Sequence, residues 1–154
     1  MMGDEIEPLD AALWFRRIEM IANCELGCVE NALRHASHLM LLAPAPFRQY
    51  VGLAIDERRF EALLDSGDFD TAAQYLVARL PALSIGQAED AKAITATIRC
   101  LVLNRAVDGH GETIANAVLD AWTTYLLALR AQFDAGRSSS LDQQRPCLAG
   151  RAAP

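Results

Sequence analysis

Between Asp10 and Leu42 apolar side chains return at every third or fourth position, the spacing of one helix face. Trp14, Ile18, Ile21, Val29, Ala32, Leu33, Ala36, Leu39 and Met40 make up that face. One continuous helix over this span would be about 50 Å long at 1.5 Å per residue, more than the width of a compact domain of this size. The pattern therefore predicts a long N-terminal helix that bends, projects or pairs with a neighbour. Gly27 is the expected bend, because glycine in a helix interior costs about 1 kcal/mol against alanine. Pro8 suits a helix's first turn, and Pro44 and Pro46 stop it by disfavouring helical geometry in the residue before each.

Four further helices are expected. The second runs from about Phe47 to Asp65 and ends at Ser66-Gly67, with the glycine free to turn left-handed. Asp68 caps a third, to Leu80, whose core face is Phe69, Ala72, Ala73, Leu76 and Leu80. Ser84-Ile85-Gly86-Gln87 has the form of a capping box and opens a fourth helix to about Val107, with Ile94, Ile98, Leu101, Val102 and Arg105 on one side. After a turn at Asp108-Gly109-His110-Gly111, a fifth runs from Glu112 to Asp134. Its stripe is Ile114, Val118, Ala121, Trp122, Tyr125, Leu129 and Phe133, with Glu112, Asn116, Asp120 and Thr124 opposite. The expected fold class is all-α, a single-domain bundle of about five helices over residues 1–135. Residues 136–154, rich in serine and small residues, are expected to be a disordered tail.

Composition limits the partners. Of the 154 residues 52% are hydrophobic, enough for a core, and the formal net charge is −6. That balance argues against nucleic acid and against anionic membrane, both of which need a basic surface. No apolar run approaches the ~20 residues of a membrane span, and the acidic opening Met1-Met2-Gly3-Asp4-Glu5 lacks the features of a signal peptide. A cytoplasmic protein is expected, with Cys24, Cys28, Cys100 and Cys147 reduced. Lys92 is the sole lysine beside many arginines and alanines, which points to high-GC bacterial coding.

Several side chains carry candidate chemistry. Cys24, Cys28, His35 and His38 lie on one strip of the first helix, and thiolate with imidazole is a zinc-type ligand set. Cys28 and His35 are separated by about 10 Å of helix rise, so one ion cannot take all four. His35 and His38 remain the only metal candidates, and no metal is expected unless another helix adds ligands. Ala32-Leu33-Arg34-His35-Ala36-Ser37-His38-Leu39 resembles the phospho-accepting helix of histidine phosphotransfer domains, which are all-helical bundles. The family's lysine and glycine after the histidine are missing; Met40 and Leu41 stand nearby instead. Asp108, His110 and Glu112 flank glycines and read most simply as an interhelical turn. Glu25 faces the apolar stripe, with Arg105 as a candidate partner.

No nucleophile elbow, P-loop or dinucleotide fingerprint is present. No cofactor is expected, and the balance leans against an enzyme. The leading expectation is a non-enzymatic bacterial protein acting by protein association, as a homo-oligomer or regulatory adaptor, through Trp14, Phe15, Ile18 and Leu26. The alternative is a small-molecule binder with an interhelical pocket of Glu25, His38, Trp122, Tyr125 and Phe133. The third is a metal or thiol site on the first helix.

Overall fold

The computed structural model describes residues 10–45, 47–51, 55–78, 80, 83–87, 93–100 and 103–144. Helix α1 spans Ala11–Ala22 and α2 spans Val29–Leu41. A 3-10 turn follows at Phe47–Tyr50, then α3 at Glu57–Asp65 and α4 at Phe69–Val77. Strands β1 (Leu83–Gln87), β2 (Ile94–Cys100) and β3 (Arg105–Gly111) come next, and α5 (Ile114–Gln144) closes the described chain. The protein is mostly helical, but it is not all-α.

The single long N-terminal helix is replaced by two. In a straight helix Trp14 and Leu39 would stand about 37 Å apart; here the Trp14 indole Nε1 donates to the Leu39 carbonyl at 2.8 Å. The chain reverses through a Schellman turn. The Cys24 N–H donates to the Ile21 carbonyl (3.1 Å) and the Glu25 N–H to the Met20 carbonyl (3.0 Å). Cys24 takes the left-handed φ of 57° normally left to glycine, and Gly27 follows at 85°. The break thus falls where glycine was expected to bend the helix, but it is a full reversal. It lets α1 and α2 bury their stripes against each other and against α5.

The helical hairpin expected around Ser66-Gly67 is present. Gly67 has φ 75°. The Asp68 carboxylate accepts from the Thr71 N–H at 3.3 Å. The expected second helix instead divides into the 3-10 turn and α3, with the Asp56 carboxylate accepting from the Arg58 N–H at 3.0 Å to start α3. Arg34 of α2 fastens this hairpin through ion pairs to Glu61 and Asp65 of α3, and pairs with Glu30 one turn back on its own helix.

The expected fourth helix is a three-stranded antiparallel meander in the order β1-β2-β3. Ile94 and Ile98 are four apart, a spacing that both a helix and a strand place on one face. The intervening residues decide it. Ala96, Ile98 and Cys100 are buried, Thr95 and Thr97 are half-buried, and Arg99 is exposed, an alternation of period two. Leu101 and Val102 lie outside the described residues. The Ser84–Gln87 segment is strand β1 in register with Ile94–Thr97, so it caps no helix.

The expected turn at 108–111 belongs to β3, whose glycines serve packing. A Cβ on Gly109 would stand 2.0 Å from the Ala121 nitrogen and 2.5 Å from the Ala117 carbonyl oxygen; one on Gly111 would meet Asn116 Cβ at 2.6 Å. Removing both side chains lets β3 lie directly on α5. The N-terminus of α5 is capped twice: the Thr113 hydroxyl accepts from the Asn116 N–H (3.2 Å), and the Asp70 carboxylate of α4 accepts from the Ala115 N–H (3.0 Å). Helix α5 packs on the sheet through β2 and β3 and on α1, α2 and α4 elsewhere. Its first four turns are accordingly buried on most sides, from Ala115 and Ala117 through Trp122 and Leu126 to Leu129, with Asn116 and Thr124 exposed on the open stripe. It runs on past Gly136, where the tail was expected to begin, to Gln144.

Gly109→Ala should separate α5 from β3 and cost about 1–3 kcal/mol or more. Gly86→Ala, where an added Cβ meets no other described side chain or backbone within 4 Å, should stay near wild type by urea denaturation. Asp70→Ala should cost about 1 kcal/mol through the lost cap.

Candidate functional site

Pro44, just past the end of α2, turns the chain across the start of α1. The Pro44 carbonyl accepts from the N–H groups of Phe47 (2.8 Å) and Arg48 (3.1 Å), which winds the 3-10 turn and fixes Phe47 inward. The Phe47 ring packs edge-on against Phe15 (centroids 4.8 Å apart) and Phe133 (5.0 Å), and stacks over Trp14 at 6.1 Å. Tyr125 holds the turn from α5, its hydroxyl donating to the Tyr50 carbonyl at 2.9 Å. Burial, with Cys100 and Tyr50 beside it, raises the Tyr125 phenol above its ordinary range, so it stays a donor.

These elements enclose a groove of about 410 Å³ lined by Ala11, Ala12 and Phe15 of α1, Ala45 and Phe47 of the turn, and Arg130, Phe133 and Asp134 of α5. Alanines on two sides leave the space, and three phenylalanines form the floor. The polar rim comes from α5. Arg130 lies over the Phe15 ring, its Cζ 5.1 Å from the centroid. Its Nη1 is 3.3 Å from Glu19 Oε1 and its Nε 3.9 Å from Asp134 Oδ2.

The residues expected to act lie in several places. Trp14, Phe15 and Ile18, the expected interface anchors, are at most 2% exposed within this one chain. Trp14 and Ile18 are core residues, and Phe15 is covered except where it lines the groove; Leu26 is half-buried in the α1–α2 turn. Of the expected pocket residues, Phe133 lines the groove. Trp122 and Tyr125 are buried in the core, and Glu25 and His38 are exposed on α1–α2, so the five do not converge. Glu25 became exposed because the helix carrying it ends at Ala22.

Cys24 and Cys28 are exposed at the two ends of that turn. His35 is half-buried with its Nε2 3.4 Å from Arg17 Nη1. Among the described residues no three His, Cys, Asp or Glu side chains gather closely enough to hold a metal. Asp108 and His110 sit on the outer face of the sheet, where Thr97 Oγ1 donates to Asp108 at 2.7 Å and Thr95 Oγ1 pairs with His110 Nδ1 at 3.1 Å. Glu112 is exposed beyond the strand. Sequence reasoning missed Ala11, Ala12, Ala45, Phe47, Arg130 and Asp134. The available signal was Phe47 directly after Pro44-Ala45-Pro46: an aromatic just past a helix stop has to find cover.

No family model, no curated protein and no solved structure matches this chain. No helix among the described residues is long and apolar enough to cross a membrane.

Burial, then the charges of Arg17 and His38, lower the His35 imidazole below its ordinary value of 6.5. The unfolded chain therefore takes up this proton more readily, and folded stability falls as pH drops below about 6.5. His35→Gln should reduce that loss, read as a smaller drop in urea midpoint between pH 7 and pH 5.

Proposed function

We propose that this protein works by binding a small, largely apolar ligand in the groove between α1, the 3-10 turn and the C-terminal part of α5. The carrying observation is the combination of a floor of Phe15, Phe47 and Phe133 with a rim of Arg130 and Asp134 around about 410 Å³. Small-molecule sites fall in the range of roughly 300–1,000 Å³, are mostly apolar, and orient their ligand with a few polar groups. An aromatic floor supplies stacking area and a fixed shape. The residues that widen the groove, Ala11, Ala12 and Ala45, are ones whose enlargement would close it.

This reading takes the interhelical pocket foreseen as an alternative and moves it to a different set of side chains, retaining Phe133. It is favoured over association through α1 because Trp14 and Ile18 are covered by the chain itself and Phe15 lines the groove.

Ala12 is exposed at the first turn of α1, so Ala12→Phe fills the groove from outside the core. With 3-phenylpropanamide as probe, titration followed by NMR should show saturable shifts at Phe133 and Ala12 in wild type. Ala12→Phe should lose at least tenfold in affinity with its melting temperature unchanged. Equal binding by wild type and Ala12→Phe, or none by wild type at millimolar probe, would overturn the reading.

A further inference from the structure

The charges at the mouth of the groove are unequal. Among the described lining residues Arg130 is the one cation and Asp134 the one anion. Arg130, however, is already engaged. Glu19 Oε1 lies 3.3 Å from its Nη1 and Asp134 Oδ2 lies 3.9 Å from its Nε, while its plane rests on Phe15. Among the described residues, two carboxylates therefore face this one guanidinium, and the excess charge of the three is negative. Asp134 is the freer of the two acids, with 65% of its side chain exposed against 48% for Glu19. Arg48, the neighbouring cation on the turn, is turned away: its Nε donates to the Ala43 carbonyl at 3.2 Å, and it does not line the groove.

We infer that the groove takes an alkyl- or arylalkylammonium ligand, its apolar body on the three phenylalanines and its protonated amine at Asp134. This rests on the groove being the binding site at all. A carboxylate-headed ligand of the same shape would have to share Arg130 with Glu19 and sit beside Asp134, adding a third negative charge at the mouth. An ammonium head at Asp134 leaves the Glu19–Arg130 pair in place and gives up only the longer 3.9 Å Asp134–Arg130 contact. It also meets the negative edge of the field set by a chain of net charge −6, and the faces of Phe47 and Phe133 attract a cation in their own right.

The test compares three probes with one body and three heads: 2-phenylethylammonium, 3-phenylpropanamide and 3-phenylpropanoate, titrated at pH 7 and low salt. The ammonium should bind about two- to fivefold more tightly than the amide, the scale of an exposed ion pair, and the carboxylate should bind less tightly than the amide. Raising the salt to about 0.5 M should narrow the spread, because the charges are solvent-screened. Asp134→Asn should bring the ammonium-to-amide ratio close to one. If the amide binds and the ammonium shows no preference, or if Asp134→Asn leaves the ratio unchanged, the ligand class is wrong while the groove stands. If none of the three binds, the groove itself is not a site and the ligand class falls with it.

Discussion

Where β3 crosses α5, the strand backbone at Gly109 and Gly111 meets Ala117, Ala121 and the helix backbone with no side chain between them. This contact fixes how deep α5 lies against the sheet. The helix is covered on its other side by α1, α2 and α4, so any shift at the glycines would be passed to the helical layer. Protein interiors are close-packed and transmit such displacements instead of absorbing them. The caps from Thr113 and Asp70 then set where α5 begins. Together they place Arg130, Phe133 and Asp134 four turns and more downstream, over the start of α1. The groove's geometry is inherited from a strand–helix contact that touches none of its lining residues.

Much of the helical layer was legible because it depends on local chemistry. The Asp68 cap, the Ser66-Gly67 turn, the proline stop after α2 and the stripe of α5 are short-range signals, and each produces the feature that its chemistry predicts. The sheet was not legible, since Ile94 and Ile98 satisfy two periodicities at once and the glycines of β3 resemble a loop. What separates the readings is tertiary: Gly109 and Gly111 only make sense once Ala117 and Ala121 are opposite them. The reversal at Cys24 was hidden for a related reason. The left-handed position carries a cysteine where a glycine would have announced the turn.

The candidate site was legible only in part. Phe133 and Phe15 are both legible as apolar contact residues, one for a pocket and one for an interface, and both line the floor of the same groove. Trp122 and Tyr125 share the stripe with Phe133 but lie farther back, between the sheet and the helices, where they build the core. Periodicity tells which face of a helix is covered; it does not tell where along the helix the cover ends. Arg130 and Asp134 read as ordinary solvated charges in sequence, and their bearing on ligand charge comes from Glu19, which the sequence sets at the other end of the chain.

That last separation has a kinetic side. The meander and α5 are joined by contacts between neighbouring segments, an arrangement of low contact order that forms quickly. The groove's walls come from opposite termini, so closing it carries the entropy of a loop nearly as long as the chain. It should be among the last features to assemble and among the first to open. A ligand seated there would act as a clasp, joining the first helix to the last and slowing the fraying of both.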